Sequence, residues 1–217
     1  MNEYLRMVLF ILSTALVVTE SNIQVNRRKG QKYKHGLNKK QIFICASVMV
    51  ISVTIGIISI RGTQIDMWNR LELWSIYLAV IAAMVYDSQL KIIPNYIVVS
   101  LILAKLVISL AQYVYTKSSL KEMGLNCIIG IVCILMLAIV SIITHHGIGM
   151  GDIKLLAAIG FVGGLTVIWS TLLFALVICT IATAICLVGK RKTMHDSLPF
   201  APFIMAGYVI AFIIYII

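Results

Sequence analysis

Two aspartates carry the chemistry this chain offers. Asp152 closes the stretch Gly147-Ile148-Gly149-Met150-Gly151-Asp152, three glycines at every second position, and Ile153 and Lys154 follow it. Asp87 stands at the end of an apolar run over residues 71–86, shortly before Ile92-Ile93-Pro94-Asn95. A carboxylate at the edge of a membrane is costly and rarely accidental. Brought within a few ångströms of each other, two carboxylates do not both ionise cheaply, so they share a proton. One then takes a proton from water while the other gives one to a carbonyl, and amide hydrolysis by this route needs no metal, cofactor or covalent intermediate. The glycines before Asp152 present no Cβ, so an extended peptide can lie against that acid. Helix ends separate the two acids in this reading: Asp87 follows a helix and Asp152 opens one, which favours charge on Asp152.

The elements that position these acids follow from composition. The chain has 217 residues, 61% of them hydrophobic and only 12% charged, with a mean hydropathy of +1.02. Ordinary globular domains carry about 25% charged residues, so a soluble domain is excluded. Strands of a membrane barrel would alternate apolar and polar residues, whereas these runs are apolar all round and roughly 15 to 20 residues long. The expectation is an all-α, polytopic membrane helix bundle with about eight transmembrane helices, near residues 4–19, 42–60, 71–86, 96–115, 125–143, 153–164, 165–188 and 200–217. Pro94 ends the helix that arrives from residue 71, Asn95 is placed to cap the next one, and Gly163-Gly164 ends or bends the sixth. The chain divides into a first helix within residues 1–20, a basic loop over 21–41, and a helical core over 42–217 that holds both acids. All of it reads as one membrane domain.

The basic residues orient this bundle. Arg27, Arg28, Lys29, Lys32, Lys34, Lys39 and Lys40 crowd the first loop, and Lys190, Arg191 and Lys192 a later one. By the positive-inside rule these loops are cytoplasmic, which puts Asp87 and Asp152 on the cytoplasmic side. Trp68 and Trp74 suit the opposite interface. The net charge of +10 is accounted for by topology and anionic lipid headgroups, so the lipid bilayer is a partner and nucleic acid is not. The five cysteines have no zinc-type spacing. His145 and His146 are adjacent, without further nearby ligands, and read as loop residues rather than as a metal site. Asp66 and Asp196 read as solvated loop acids, and Lys105, in the middle of a helix, has its stem reaching an interface or a partner.

These residues carry a resemblance. Asp87 with Ile93-Pro94-Asn95, the Gly147-to-Leu155 stretch, and Pro199-Phe200-Ala201-Pro202-Phe203 resemble, in this order, the three signatures of the type IV prepilin peptidases, which are GxGD membrane aspartic proteases. The resemblance runs from about residue 71 to the end of the sequence. It implies an endopeptidase that removes the leader of prepilins or pseudopilins at the cytoplasmic face of the prokaryotic cell membrane. Asp87 and Asp152 would be the catalytic pair, and Pro94, Asn95, Gly147, Gly149, Gly151, Lys154, Pro199 and Pro202 would belong to the active-site loops. Many members also carry a cytoplasmic domain with paired Cys-x-x-Cys motifs, associated with N-methylation, between their first two helices. Here that interval holds only the basic loop, so a peptidase-only form is expected. Ala201 stands where the family often has glycine.

Other readings remain open at this level. Tyr86-Asp87 also fits GxGD proteases of the presenilin type, although their Pro-Ala-Leu signature is replaced here by Pro-Phe-Ala-Pro-Phe. A small transporter would also place acids in a bundle, but no inverted repeat is visible. Oligomeric state and the particular substrate have no signature in the residues.

Overall fold

The computed structural model describes residues 3–28, 66–116, 121–143, 149–188 and 199–216. Every element among them is a helix: α1 (Glu3–Arg28), α2 (Met67–Leu90), α3 (Asn95–Thr116), α4 (Lys121–Ile143), α5 (Met150–Val188) and α6 (Ala201–Ile216). The first five are long and apolar enough to cross a membrane, and α6 is a shorter apolar helix. The fold is an all-α, multi-pass membrane bundle. Among the described residues there are six helical elements, against about eight helices expected for the whole chain. The expected helix over 42–60 lies outside the described residues, and those expected over 153–164 and 165–188 are the two helical segments of α5, which meet at a kink. That element is broken at Gly164, whose φ of 74° and ψ of −173° interrupt the helix. Such a backbone is open to glycine and strained for other residues, which is why the break falls there.

The bundle is built around α2. Its most apolar window is 61% buried, against 11% for α4, because α2 packs on α1, α3, α5 and α6. Leu73, Ile76, Tyr77, Val80, Ile81, Ala83 and Tyr86 are all buried, and a helix apolar on every face finds its place among other helices. The exposed side chains of α4, among them Ile128, Ile131, Leu135 and Ile142, face outward, as they would toward lipid.

Helix ends fix the depth of Asp87. Asp66, expected as a solvated loop acid, instead caps α2: its Oδ1 accepts a hydrogen bond from Met67 N at 2.8 Å. At the other end Lys91 adopts a left-handed conformation with φ 53°, and its N–H donates to the Asp87 carbonyl at 2.9 Å. Asp87 therefore lies within the last turn of α2 rather than after it. After Ile93-Pro94, α3 begins with Ile97 N donating to Pro94 O at 3.2 Å.

Two further expectations change, and Lys105 meets the partner expected for it. The first helix does not stop near residue 19 but continues to Arg28, because its polar residues have partners on α2 and α3. Gln89 Nε2 donates to Asn22 Oδ1 at 2.9 Å, and the hydroxyls of Tyr86 and Tyr96 both donate to Gln24 Oε1, at 3.0 and 3.2 Å. Arg28 lies over the Tyr86 ring at 5.8 Å. Trp74, expected at an interface, is half-buried and packs on Phe10 with ring centroids 4.9 Å apart. Lys105 finds its partner inside the bundle: Nζ lies 2.6 Å from Glu72 Oε1 of α2, with side-chain exposures of only 6% and 11%.

Candidate active site

Asp87 is 7% exposed and reaches from α2 toward the start of α6. Its Oδ2 accepts a hydrogen bond from Ala201 N at 2.9 Å, and the Phe200 amide lies close enough to act on the same carboxylate. The start of α6 is shaped for this. Phe200 O accepts from Phe203 N at 2.9 Å and from Ile204 N at 3.1 Å, so Phe200 occupies the cap position and the helix ladder begins there. Pro202 has no N–H, which leaves the Ala201 amide as the free donor of the first turn. Tyr208 OH, one helix turn or two further on, donates to Leu73 O at 2.6 Å and ties α6 to α2 at a second point.

Asp152 arrives from a different part of the chain. Gly149 caps α5, with its carbonyl accepting from Asp152 N at 3.0 Å and Ile153 N at 3.2 Å, so Asp152 sits in the first turn. An acid in the first turn of a helix meets the positive end of the helix dipole. A Cβ on Gly149 would lie 3.0 Å from Asp152 Oδ2, so this glycine leaves room for the carboxylate. Asp152 Oδ1 is buried and makes no hydrogen bond among the described residues.

The two acids come together at one end of the bundle. Asp87 lies near enough to Asp152 for two negative charges there to interact. The loop before α3 holds them there: a Cβ on Gly151 would lie 3.1 Å from Ile93 Cβ, so glycine permits that loop to press on the start of α5. Ile93 and Pro94 are both buried. Lys154 Nζ donates to Asn95 Oδ1 at 3.3 Å, linking α5 to α3 on the exposed side. Asn95 was expected as a helix cap; its side-chain oxygen is spent on this cross-link instead. Tyr86 turns away from the pair, its hydroxyl held by Gln24 and also hydrogen-bonded with Tyr96.

Of the residues expected in the site, Asp87, Pro94, Asn95, Gly149, Gly151, Asp152 and Lys154 gather here, and Pro199 and Pro202 flank the two amides at Asp87. Gly147, His145 and His146 lie outside the described residues. Among the described residues no group of three or more His, Cys, Asp or Glu side chains assembles. What the sequence reading missed is the Ala201 and Phe200 amides, since a backbone donor leaves no trace in residue type. The prolines on either side were the available signal. With α6 donating to Asp87, helix ends no longer separate the two acids, because each now meets the start of a helix.

A bundle of apolar helices carrying an acid pair at one end defines a membrane protein with a two-carboxylate site. The model of the type IV leader peptidase family matches residues 74–188, more than half of the chain and the part that carries both acids. The chain belongs to that family of membrane proteases. It is also 40% identical over 79 residues to the prepilin leader peptidase/N-methyltransferase of Bacillus subtilis (strain 168). The matched stretch is 36% of this chain and 32% of that protein, so the match spans about a third of the length of this curated relative. No solved structure matches the chain.

Proposed function

We propose that this chain is an aspartic endopeptidase that removes the leader peptide of type IV prepilins or pseudopilins at the cytoplasmic face of a prokaryotic cell membrane. The observation that carries the reading is the convergence of Asp87 and Asp152, from α2 and α5, on one glycine-lined end of the bundle. One carboxylate of the pair takes a proton from water as the water oxygen bonds to the scissile carbonyl carbon; the other gives its proton to the carbonyl oxygen. Collapse of the tetrahedral species then breaks the C–N bond, and the leaving amine takes up a proton from the pair. Gly149 keeps a side chain away from the Asp152 carboxylate, against which an extended peptide would lie, while Gly151 admits Ile93. The basic residues clustered over 27–40 and 190–192 support the cytoplasmic orientation.

The test is incubation of the purified protein in liposomes with membrane-inserted prepilins and pseudopilins that carry glycine before the scissile bond, followed by mass spectrometry of the products. A single cut after that glycine, with the liberated leader on the side bearing the basic clusters over 27–40 and 190–192, is expected. An uncleaved panel, or cleavage on the opposite side, would overturn the substrate class or the orientation respectively.

A further inference from the structure

We propose that the start of α6 is the positioning device for Asp87, and that Pro199-Phe200-Ala201-Pro202 works through the Ala201 and Phe200 amides rather than through its side chains. The inference rests on the reading of Asp87 and Asp152 as the catalytic pair.

The terminal torsion of an aspartate is broad and roughly two-fold, so packing alone fixes the direction of a carboxylate poorly. A charge-assisted hydrogen bond from a backbone N–H fixes it well. Ala201 N donates to Asp87 Oδ2 at 2.9 Å, so that oxygen is engaged and the plane of the carboxylate is set. The donor itself is rigid. Ala201, Ile204 and Tyr208 are fully buried, and the Tyr208 hydrogen bond to Leu73 O anchors α6 to the helix that carries Asp87. The spacing of the motif is accounted for as well: Phe203 N and Ile204 N are spent on Phe200 O, and Pro202 has no N–H, so the Ala201 amide has no competitor within the first turn.

Ala201→Pro tests this because it removes the donor without opposing the helix. Proline is favoured at the first helical position, and the extended conformation it imposes on the preceding residue suits a cap such as Phe200. The variant is expected to fold, to retain KM within about two-fold, and to lose kcat by roughly 10²-fold, the scale of a 1 Å misplacement of a reacting group. Ala201→Gly, which keeps the N–H, is expected to recover most of kcat. Lactic acid encoded at position 201 replaces the amide by an ester of nearly the same shape, and it decides the matter if the proline variant does not fold. Undiminished kcat in either backbone variant, or an equal loss in Ala201→Gly, would overturn the positioning role. Failure of the parent reading looks different, since there the wild-type protein would not cleave or would not need its aspartates.

Discussion

The ion pair between Lys105 and Glu72 gives the sharpest prediction about how this bundle is held together. Lys105 Nζ and Glu72 Oε1 lie 2.6 Å apart with side-chain exposures of 6% and 11%, so neither charge has much access to solvent. Lys105→Met takes the Lys105 cation away from the Glu72 carboxylate inside the bundle. Breaking one side of a buried pair costs about 3–5 kcal/mol, much of it the penalty of the charge left behind. That corresponds to roughly two to three and a half powers of ten in the unfolding equilibrium. Replacing both partners, as in Lys105→Met with Glu72→Gln, removes the buried carboxylate charge as well and is expected to recover most of the loss. The assay is the unfolding free energy in bicelles by steric trapping, with leader cleavage measured in parallel. The reasoning is refuted if Lys105→Met is as stable as wild type within about 0.5 kcal/mol, or if the double variant is no more stable than the single one.

Three further outcomes follow from the site. Gly151→Val places a branched side chain where even a Cβ would lie 3.1 Å from Ile93 Cβ, so it is expected to push the loop before α3 off α5 and to lower kcat at least about ten-fold while the bundle stays folded; Gly151→Ala should fall between, and unchanged kinetics would show that this contact does not hold the acids together. Tyr86→Phe removes the hydrogen bond to Gln24 and is expected to cost about 0.5–1.5 kcal/mol of stability with kcat unaltered, because the ring faces α1 and α3; a large fall in kcat would place Tyr86 in the chemistry after all. The pH dependence of kcat/KM is expected to be bell-shaped, reporting apparent constants of the pair rather than of either acid, and a rate flat from about pH 4 to 9 would count against a shared proton.

Much of this site was legible in the sequence because it depends on residue types at helix ends. Pro94 after a long apolar run, Gly163-Gly164 within another, and an aspartate beside each of two glycine or proline breaks are local signals, and the helices end or bend where these residues say. The parts that were not legible depend on partners distant in sequence. Asn22 and Gln24 look like the start of a polar loop, yet α1 continues through them because Gln89, Tyr86 and Tyr96 satisfy their polar groups. Lys105 looked anomalous in an apolar helix until Glu72 was placed beside it. The hydrogen bond from Ala201 to Asp87 spans more than half of the chain and uses a backbone donor, so composition and periodicity say nothing of it. Asp66 differs: an aspartate just before an apolar run is a cap signature, and the signal was present though read as a loop.

Asp87 and Asp152 are expected to act as one catalytic unit. The most direct measurement is single-turnover cleavage of a membrane-inserted prepilin by wild type, Asp87→Asn, Asp152→Asn and the double variant, each shown to be folded by the same unfolding assay. Each single substitution is expected to lower the rate by roughly 10²–10⁴-fold or more, the span contributed by positioned acids and bases. The double variant should be little worse than either single one, as for residues that work together. Cleavage that survives either substitution within about ten-fold of wild type would contradict the pair.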